Sequence, residues 1–237
     1  MDIILASGSP RRRELLSRAQ LDFTVMSVDI DETPHANESP KDYIERMVAT
    51  KAAAAVQQLN ANSSEENVDK DVEPRLVLTA DTIGVLADGK TVLVKPTSRE
   101  QAYEMWQQMS DTVHEVWTAV QVTLIARSAH LLVPCDNAAA HATAAHALKQ
   151  PVWQVVSQQQ LTERTAVTFI PLTAQMMREY WDSGEPQDKA GGYGIQGLGA
   201  AWVSRINGSY TNVVGLPLAQ TLALINTVSQ HSSASVS

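Results

Sequence analysis

Residues 5–16, LASGSPRRRELL, set three arginines directly behind a Ser-Gly-Ser-Pro turn. An apolar run that breaks at small residues and feeds a helix aims free backbone N–H groups beyond the helix start, where the helix dipole adds partial positive charge. Ser9 suits the cap of such a helix and Pro10 its first position. Arg11, Arg12 and Arg13 could add charge-assisted, bidentate bonds to phosphate oxygens. The same residues also suit an ordinary capped helix with three solvated arginines, so this stretch alone leaves both readings open.

Carboxylates and lysines supply the complementary chemistry. Asp81 ends the apolar run LVLTAD, where a charge is costly unless something uses it. Asp31 and Glu32 close a β-like stretch before Pro34; taken alone they read as a solvated turn. Carboxylates at strand ends beside a phosphate cradle form the oxygen set that Mg²⁺ takes, with waters completing the shell. One of them could also accept a proton from an attacking water. Lys51, in an alanine-rich helix, and Lys95, in LVKP, could each neutralise a phosphate oxygen. A lone lysine is ordinarily just solvated, so these two count only in company.

Other patterns fail on context. Gly192, Gly194 and Gly197 satisfy a dinucleotide-binding glycine pattern, but GEPQDKA upstream is no strand and GLGAAWVSRI downstream is no clear helix. Cys135, His141 and His146 group only loosely, and histidines five apart do not share a helix face. His114 reads as a hydrogen-bonded strand-entry residue, and the scattered tryptophans read as core.

These side chains need a scaffold that places a helix start, a strand and a hairpin together. IILAS reads as a buried strand feeding the SPRRR helix, and FTVM as a second strand. SPKDYIERMVATKAAAAVQQL repeats the Ser-Pro opening, with Tyr43, Ile44, Met47 and Val48 as an apolar stripe. Residues 60–75 are polar and aperiodic, which suits a surface loop. LVLTAD is a strand, TIGVLADGKTVLVKP a hairpin about Asp88-Gly89, and SREQAYEMWQQMS a helix with Ser98 and Gln101 spaced as a capping box. HEVWTAVQVTLIA follows as a strand. Residues 128–160, rich in Ala, His and Gln, read as an inserted surface segment. TAVTFIPL then reads as a strand, and TAQMMREYWDSG as a helix stopped by Gly184. Seven of the 11 glycines fall between Gly191 and Gly215, so the backbone there is bent or closely approached. SQHSSASVS should fray. Strands alternating with helices, plus a hairpin, predict an α/β fold on a mixed sheet.

Composition narrows the partners. Lys and Arg number 18 and Asp and Glu 26, a net charge of -8, which argues against a nucleic-acid or anionic-membrane surface and in favour of a small anion held at one point. No apolar run approaches the roughly 20 residues of a membrane span, and MDIILASGS lacks a basic leader. The single Cys135 allows no internal disulfide and suits a reducing compartment, so the expected location is cytoplasmic, and the Asn62 and Asn207 sequons are accidental matches.

LASGSPRRRELL, DE before a proline, ADTIGVL, LVKP, HEVWTAV, GEPQDKAGGYGIQGLGA and GSYTNVVGLPL together, in this order, resemble the Maf family of nucleoside triphosphate pyrophosphatases. The resemblance spans one domain, residues 1–228, outside the stretches near 60–75 and 128–160, with 229–237 as a disordered tail. It implies a long, curved mixed sheet with flanking helices and two lobes around a cleft (ITPase-like). It implies hydrolysis of a nucleoside triphosphate to monophosphate and pyrophosphate, assisted by a divalent cation, Mg²⁺ or Mn²⁺. Asp81 would accept the proton and Glu32 would be a metal or water partner, both carboxylates holding the metal; Ser9, Arg11, Arg12, Lys51 and Lys95 would bind the triphosphate.

SPRR, ADT and GIQG resemble the branch acting on dTTP and UTP, with modified pyrimidine triphosphates within the implied range and Arg11, Thr82 and Gln196 setting base choice. The Gln196 amide offers both a donor and an acceptor, as a pyrimidine edge requires. Thr79 and Asp111 stand where the family commonly has glycine. The competing readings are a nucleotide-binding regulator of septum formation and division with little turnover, and a pyrophosphatase for 7-methyl-GTP or modified triphosphates in general. A homodimer is compatible with any of these.

Overall fold

The computed structural model describes residues 1–62, 73–127 and 152–230. β1 (Asp2–Ala6) is an apolar run whose Ile3 to Ala6 are all buried, as a central strand covered on both faces must be. It pairs in parallel with β2 (Phe23–Met26) on one side and with β3 (Arg75–Val85) on the other. β3 turns at Asp88-Gly89 into the short antiparallel β4 (Val92–Leu93). β5 (Val113–Arg127) runs antiparallel to β3 over its whole length, followed by antiparallel β6 (Trp153–Phe169) and β7 (Val203–Asn207). The result is a seven-stranded mixed sheet in the order β2-β1-β3-β5-β6-β7, with β4 beside β3.

α1 (Pro10–Arg18) and α2 (Pro40–Ala61) both begin at a Ser-Pro pair. Only Ser39 caps with its side chain, accepting from the Asp42 N–H; Ser9 sits at the cap position without that bond. α2 buries Ile44, Met47 and Val48 of the expected stripe, which Ala52 and Ala55 extend, while Tyr43 is only half-buried. α3 (Arg99–Met109) carries half of the expected capping box. Ser98 accepts from the Gln101 N–H, while the Gln101 side chain turns to the Thr97 N–H and hydroxyl. α4 (Ala174–Asp182), α5 (Tyr210–Val214) and α6 (Leu218–Gln230) complete the helices.

Two cores flank the cleft described below. One packs Leu5, Leu15, Leu16, Leu78, Val122 and Leu224 between α1, α6 and the sheet. The other packs Trp106, Met109, Phe169, Tyr180, Tyr193 and Trp202, with Trp106 and Trp202 edge to face at 5.0 Å. The tryptophans at 106, 117, 153 and 202 are buried, in keeping with a core role.

Several boundaries differ from the sequence reading. LVLTAD does not end at its aspartate: β3 continues to Val85, so Asp81 lies mid-strand opposite Ala119. Unbroken pairing with β5 carries the strand past the charge. Asp31 and Glu32 lie in a loop beyond β2, which stops at Met26. Residues 153–160, expected in the inserted segment, are strand, because the polar Gln-rich run lies along β5 and alternates its exposure. The remainder of that stretch, with Cys135, His141 and His146, lies outside the described residues, as do 63–72 and 231–237.

The two positions where glycine is usual in the Maf pattern are accommodated differently. Asp111 has a φ of 56°, a left-handed conformation that glycine takes freely and aspartate tolerates. Thr79 is fully buried, and its hydroxyl donates to the Val48 carbonyl at 2.9 Å, tying β3 to α2.

Candidate active site

A cleft of about 960 Å³ opens where the start of α1, the middle of β3, the β2–α2 loop and the glycine-rich segment converge. All nine residues nominated from the sequence line it: Ser9, Arg11, Arg12, Glu32, Lys51, Asp81, Thr82, Lys95 and Gln196. They come from six separate stretches of chain, brought together because β1 and β3 are adjacent strands and α2 packs across β3.

Lys51 is the hub of the carboxylate pair. Its Nζ lies 2.6 Å from Asp81 Oδ1 and 2.9 Å from Glu32 Oε1. The Lys51 side chain is 12% exposed and that of Asp81 17%, whereas Glu32 is 52% exposed, toward the mouth. Burial pushes the Glu32 carboxyl upward, but the hydrogen bond and charge of Lys51, with Lys95 and Arg12 behind it, reverse this and hold it below the ordinary range. Both carboxylates are therefore bridged by a single, largely buried ammonium. The Glu32 backbone is fixed as well, its carbonyl accepting from the Tyr43 hydroxyl at 3.1 Å. Burial and the charges of Asp81 and Glu32 push the Tyr43 phenol up to about 12, so it remains a donor at neutral pH.

Arg12 differs from its neighbours in being buried, which lowers its pKa against the opposing pull of Asp81. Nε donates to the Gly215 carbonyl at 2.8 Å, Nη1 to Ser7 Oγ at 2.9 Å and Nη2 to Thr82 Oγ1 at 3.1 Å. A guanidinium has five N–H donors, so these three bonds leave two for an anion in the cleft. The network continues from Thr82 to Thr118 at 2.9 Å, and from Thr118 to the Asn212 carbonyl. The Thr82 hydroxyl is thus occupied by protein partners, and what reaches a ligand through Thr82 is its hold on Arg12. Gly215 can present its carbonyl here because its φ of 123° is open to glycine.

Arg11 lines the cleft half-buried and Lys95 exposed, and Gln196 is exposed at its glycine-rich edge. His114 belongs elsewhere: it is fully buried, hydrogen-bonded to the Tyr193 hydroxyl at 2.8 Å, and burial drops its pKa to about 4. The dinucleotide-like glycines form turns with no strand-to-helix crossover, as their context indicated.

Glu185 and Lys189, which carried no role in the sequence reading, also line the cleft, as does Tyr43, which read only as part of an apolar stripe. The signal for Glu185 was present in GEP, where an acidic residue follows Gly184 directly ahead of the glycine-rich run.

Two carboxylates and a triphosphate fit what Mg²⁺ or Mn²⁺ asks of a site. Such ions bind through one or two carboxylates and fill the remaining positions with phosphate oxygens and water. Among the described residues no group of three or more His, Cys, Asp or Glu side chains could cage a metal alone. The arrangement suits an ion shared with an anionic ligand. No helix among the described residues is long and apolar enough to cross a membrane.

A family model described as Maf-like protein matches residues 2–228. The dTTP/UTP pyrophosphatase of Psychrobacter arcticus is 65% identical over 229 residues, covering 95% of this chain and 94% of that protein. That of Psychrobacter cryohalolentis is also 65% identical, over 95% of this chain and 96% of its own. A more distant relative, the dTTP/UTP pyrophosphatase of Pseudoalteromonas atlantica, is 39% identical over 96% and 97%.

Proposed function

Given that the chain belongs to the Maf family, we propose that it hydrolyses dTTP and UTP to the monophosphate and pyrophosphate in this cleft. The observation that carries the reading is the Lys51 bridge, which holds Asp81 and Glu32 side by side next to the helix start that bears Arg11 and Arg12. A regulator that only bound nucleotide would have no use for a carboxylate pair maintained in this way.

The α–β phosphoanhydride bond breaks, a water supplies the new oxygen, and pyrophosphate leaves. Such a reaction asks mainly for positioning and for neutralisation of the charge that develops on the phosphate oxygens. The α1 start, Ser9, Arg11, the two unused donors of Arg12, and Lys95 hold the triphosphate. Glu32 and Asp81 would hold a divalent cation, which when bound supplies charge neutralisation and lowers the pKa of water. Asp81 accepts the proton of the attacking water; with Oδ1 bound to Lys51, the second carboxylate oxygen is the site for it. Lys51 fixes the orientation of that carboxylate through its bond to Oδ1. Gln196, with Arg11, reads the base. The net charge of -8 is compatible with this because the ligand is small and the positive charge local.

Pyrophosphate release from a panel of standard and methylated triphosphates, with and without Mg²⁺, tests the reading. dTTP and UTP should be the preferred substrates and turnover should require the cation. Tight binding without pyrophosphate release would point to the regulator, and equal rates on purines and pyrimidines would remove the base assignment.

A further inference from the structure

Glu185 lines the cleft, yet its carboxylate faces the protein backbone. Oε2 accepts the Leu198 N–H at 2.8 Å; Oε1 accepts the Tyr180 hydroxyl at 2.8 Å and the Gly199 N–H at 3.3 Å. Tyr180 in turn accepts the Gly194 N–H at 3.0 Å. One carboxylate therefore holds residues 194–199, the segment carrying Gln196, at both ends: directly at 198–199 and through the Tyr180 hydroxyl at 194. Glu185 is fastened in its turn, its carbonyl accepting Lys189 Nζ at 2.6 Å.

Packing is tight enough for this to specify one conformation. A Cβ added at Gly197 would overlap the Glu185 carboxyl group, and one at Gly199 would come within 2.7 Å of the Tyr180 hydroxyl. All three groups that the carboxylate meets are donors, so the acceptor must be a carboxylate. A glutamine has one acceptor oxygen, and its NH₂ would face an N–H wherever it turned. Burial pushes the Glu185 carboxyl up, but these bonds hold it below the ordinary range, so it is ionised at neutral pH.

We propose that Glu185 is the positioning residue for base recognition: by clamping residues 194–199 it presents Gln196 to the base and sets the preference for pyrimidine over purine triphosphates without touching either. This rests on the reading that Gln196 faces the base.

The test is a double-mutant cycle on kcat and KM for dTTP, UTP and GTP, using Glu185→Ala, Glu185→Gln, Gln196→Ala and the pair Glu185→Ala/Gln196→Ala. Glu185→Ala should raise the KM for dTTP about tenfold, leave kcat within about threefold, and cut the ratio of kcat/KM for dTTP over GTP about tenfold. Glu185→Gln, which keeps one acceptor, should fall in between. In the Gln196→Ala background, Glu185→Ala should cause no further loss of the ratio, because it acts through the residue already removed. Additive losses, or a fall in kcat with the ratio preserved, would overturn the proposal. Gln196→Ala alone distinguishes the two levels: an unchanged ratio there refutes the base-reading role and this inference with it. A lost ratio there beside an unaffected Glu185→Ala refutes only the clamp. Should Glu185→Ala not fold, Tyr180→Phe removes one of the same bonds from the far side, and must lower the ratio for the inference to stand.

Discussion

Replacing Lys51 by methionine keeps the aliphatic stem and removes only the ammonium between two carboxylates. The two arms of the bridge, 2.6 and 2.9 Å, limit Asp81 Oδ1 and Glu32 Oε1 to a separation of at most about 5.5 Å. Two like charges at about 5.5 Å in an effective dielectric of about 20 repel by about 3 kcal/mol, equivalent to about two pKa units. Glu32 is 52% exposed, so solvent screens part of this and about one to two units remain. In the wild type burial pushes the Glu32 carboxyl up, and the hydrogen bond and charge of Lys51 hold it below its ordinary range. Without the ammonium, Glu32 loses that support and keeps its proton to higher pH, and the carboxylate pair is ready to hold the cation only above that point. In the pH profile of kcat/KM for dTTP at saturating Mg²⁺, the acid limb should therefore move up by about one to two units in Lys51→Met. The plateau should also drop, as the phosphates lose a cation. A lowered plateau with an unmoved acid limb would mean that Lys51 serves the phosphates alone, and the account of the ionised pair would be wrong.

Asp81→Asn should lower turnover by about 10²- to 10⁴-fold, the usual contribution of a general base, with binding of a non-hydrolysable triphosphate analogue changed only a few-fold; near-normal turnover would displace Asp81 from that role. Arg12→Lys loses the fork that joins Gly215, Ser7 and Thr82; it should cost about 2–4 kcal/mol, a fall in melting temperature of about 5–15 °C, together with a raised KM. Melting at the wild-type temperature would show the fork to be dispensable. His114 is held neutral, with its pKa lowered from 6.5 to about 4. Between those values the unfolded chain binds a proton that the folded chain refuses, so stability is full above pH 6.5 and falls by up to about 3 kcal/mol as the pH drops to 4. Thermal melts across that window should show a shallower decline in His114→Gln, and identical slopes would assign the loss to other groups.

Much of the site was legible from local signals. The Ser-Pro helix starts and the Asp-Gly turn depend on neighbouring residues and formed where those residues placed them, while the apolar strands formed with shifted ends. Asp81 stood out because a charge at the end of an apolar run is expensive, whereas Lys51 counted only in company with the other candidates. What their types could not tell was that they meet. Glu32 read as a solvated turn until α2 brought Lys51 to it, and Arg12 was indistinguishable from Arg11 and Arg13 until Gly215, 203 residues away, supplied the acceptor for its Nε. The end of LVLTAD was misplaced for the same reason: whether a strand continues past a charge is decided by pairing with β5, a long-range ladder with no trace in the local pattern. Glu185 shows the limit most plainly, since its motif was visible but its three partners lie on other segments. The sequence by itself determined which chemistry was on hand and where helices and turns begin. Only the tertiary structure decided which charges neutralise one another and which backbone each carboxylate holds, because those choices depend on distances of a few ångströms between segments far apart in the chain.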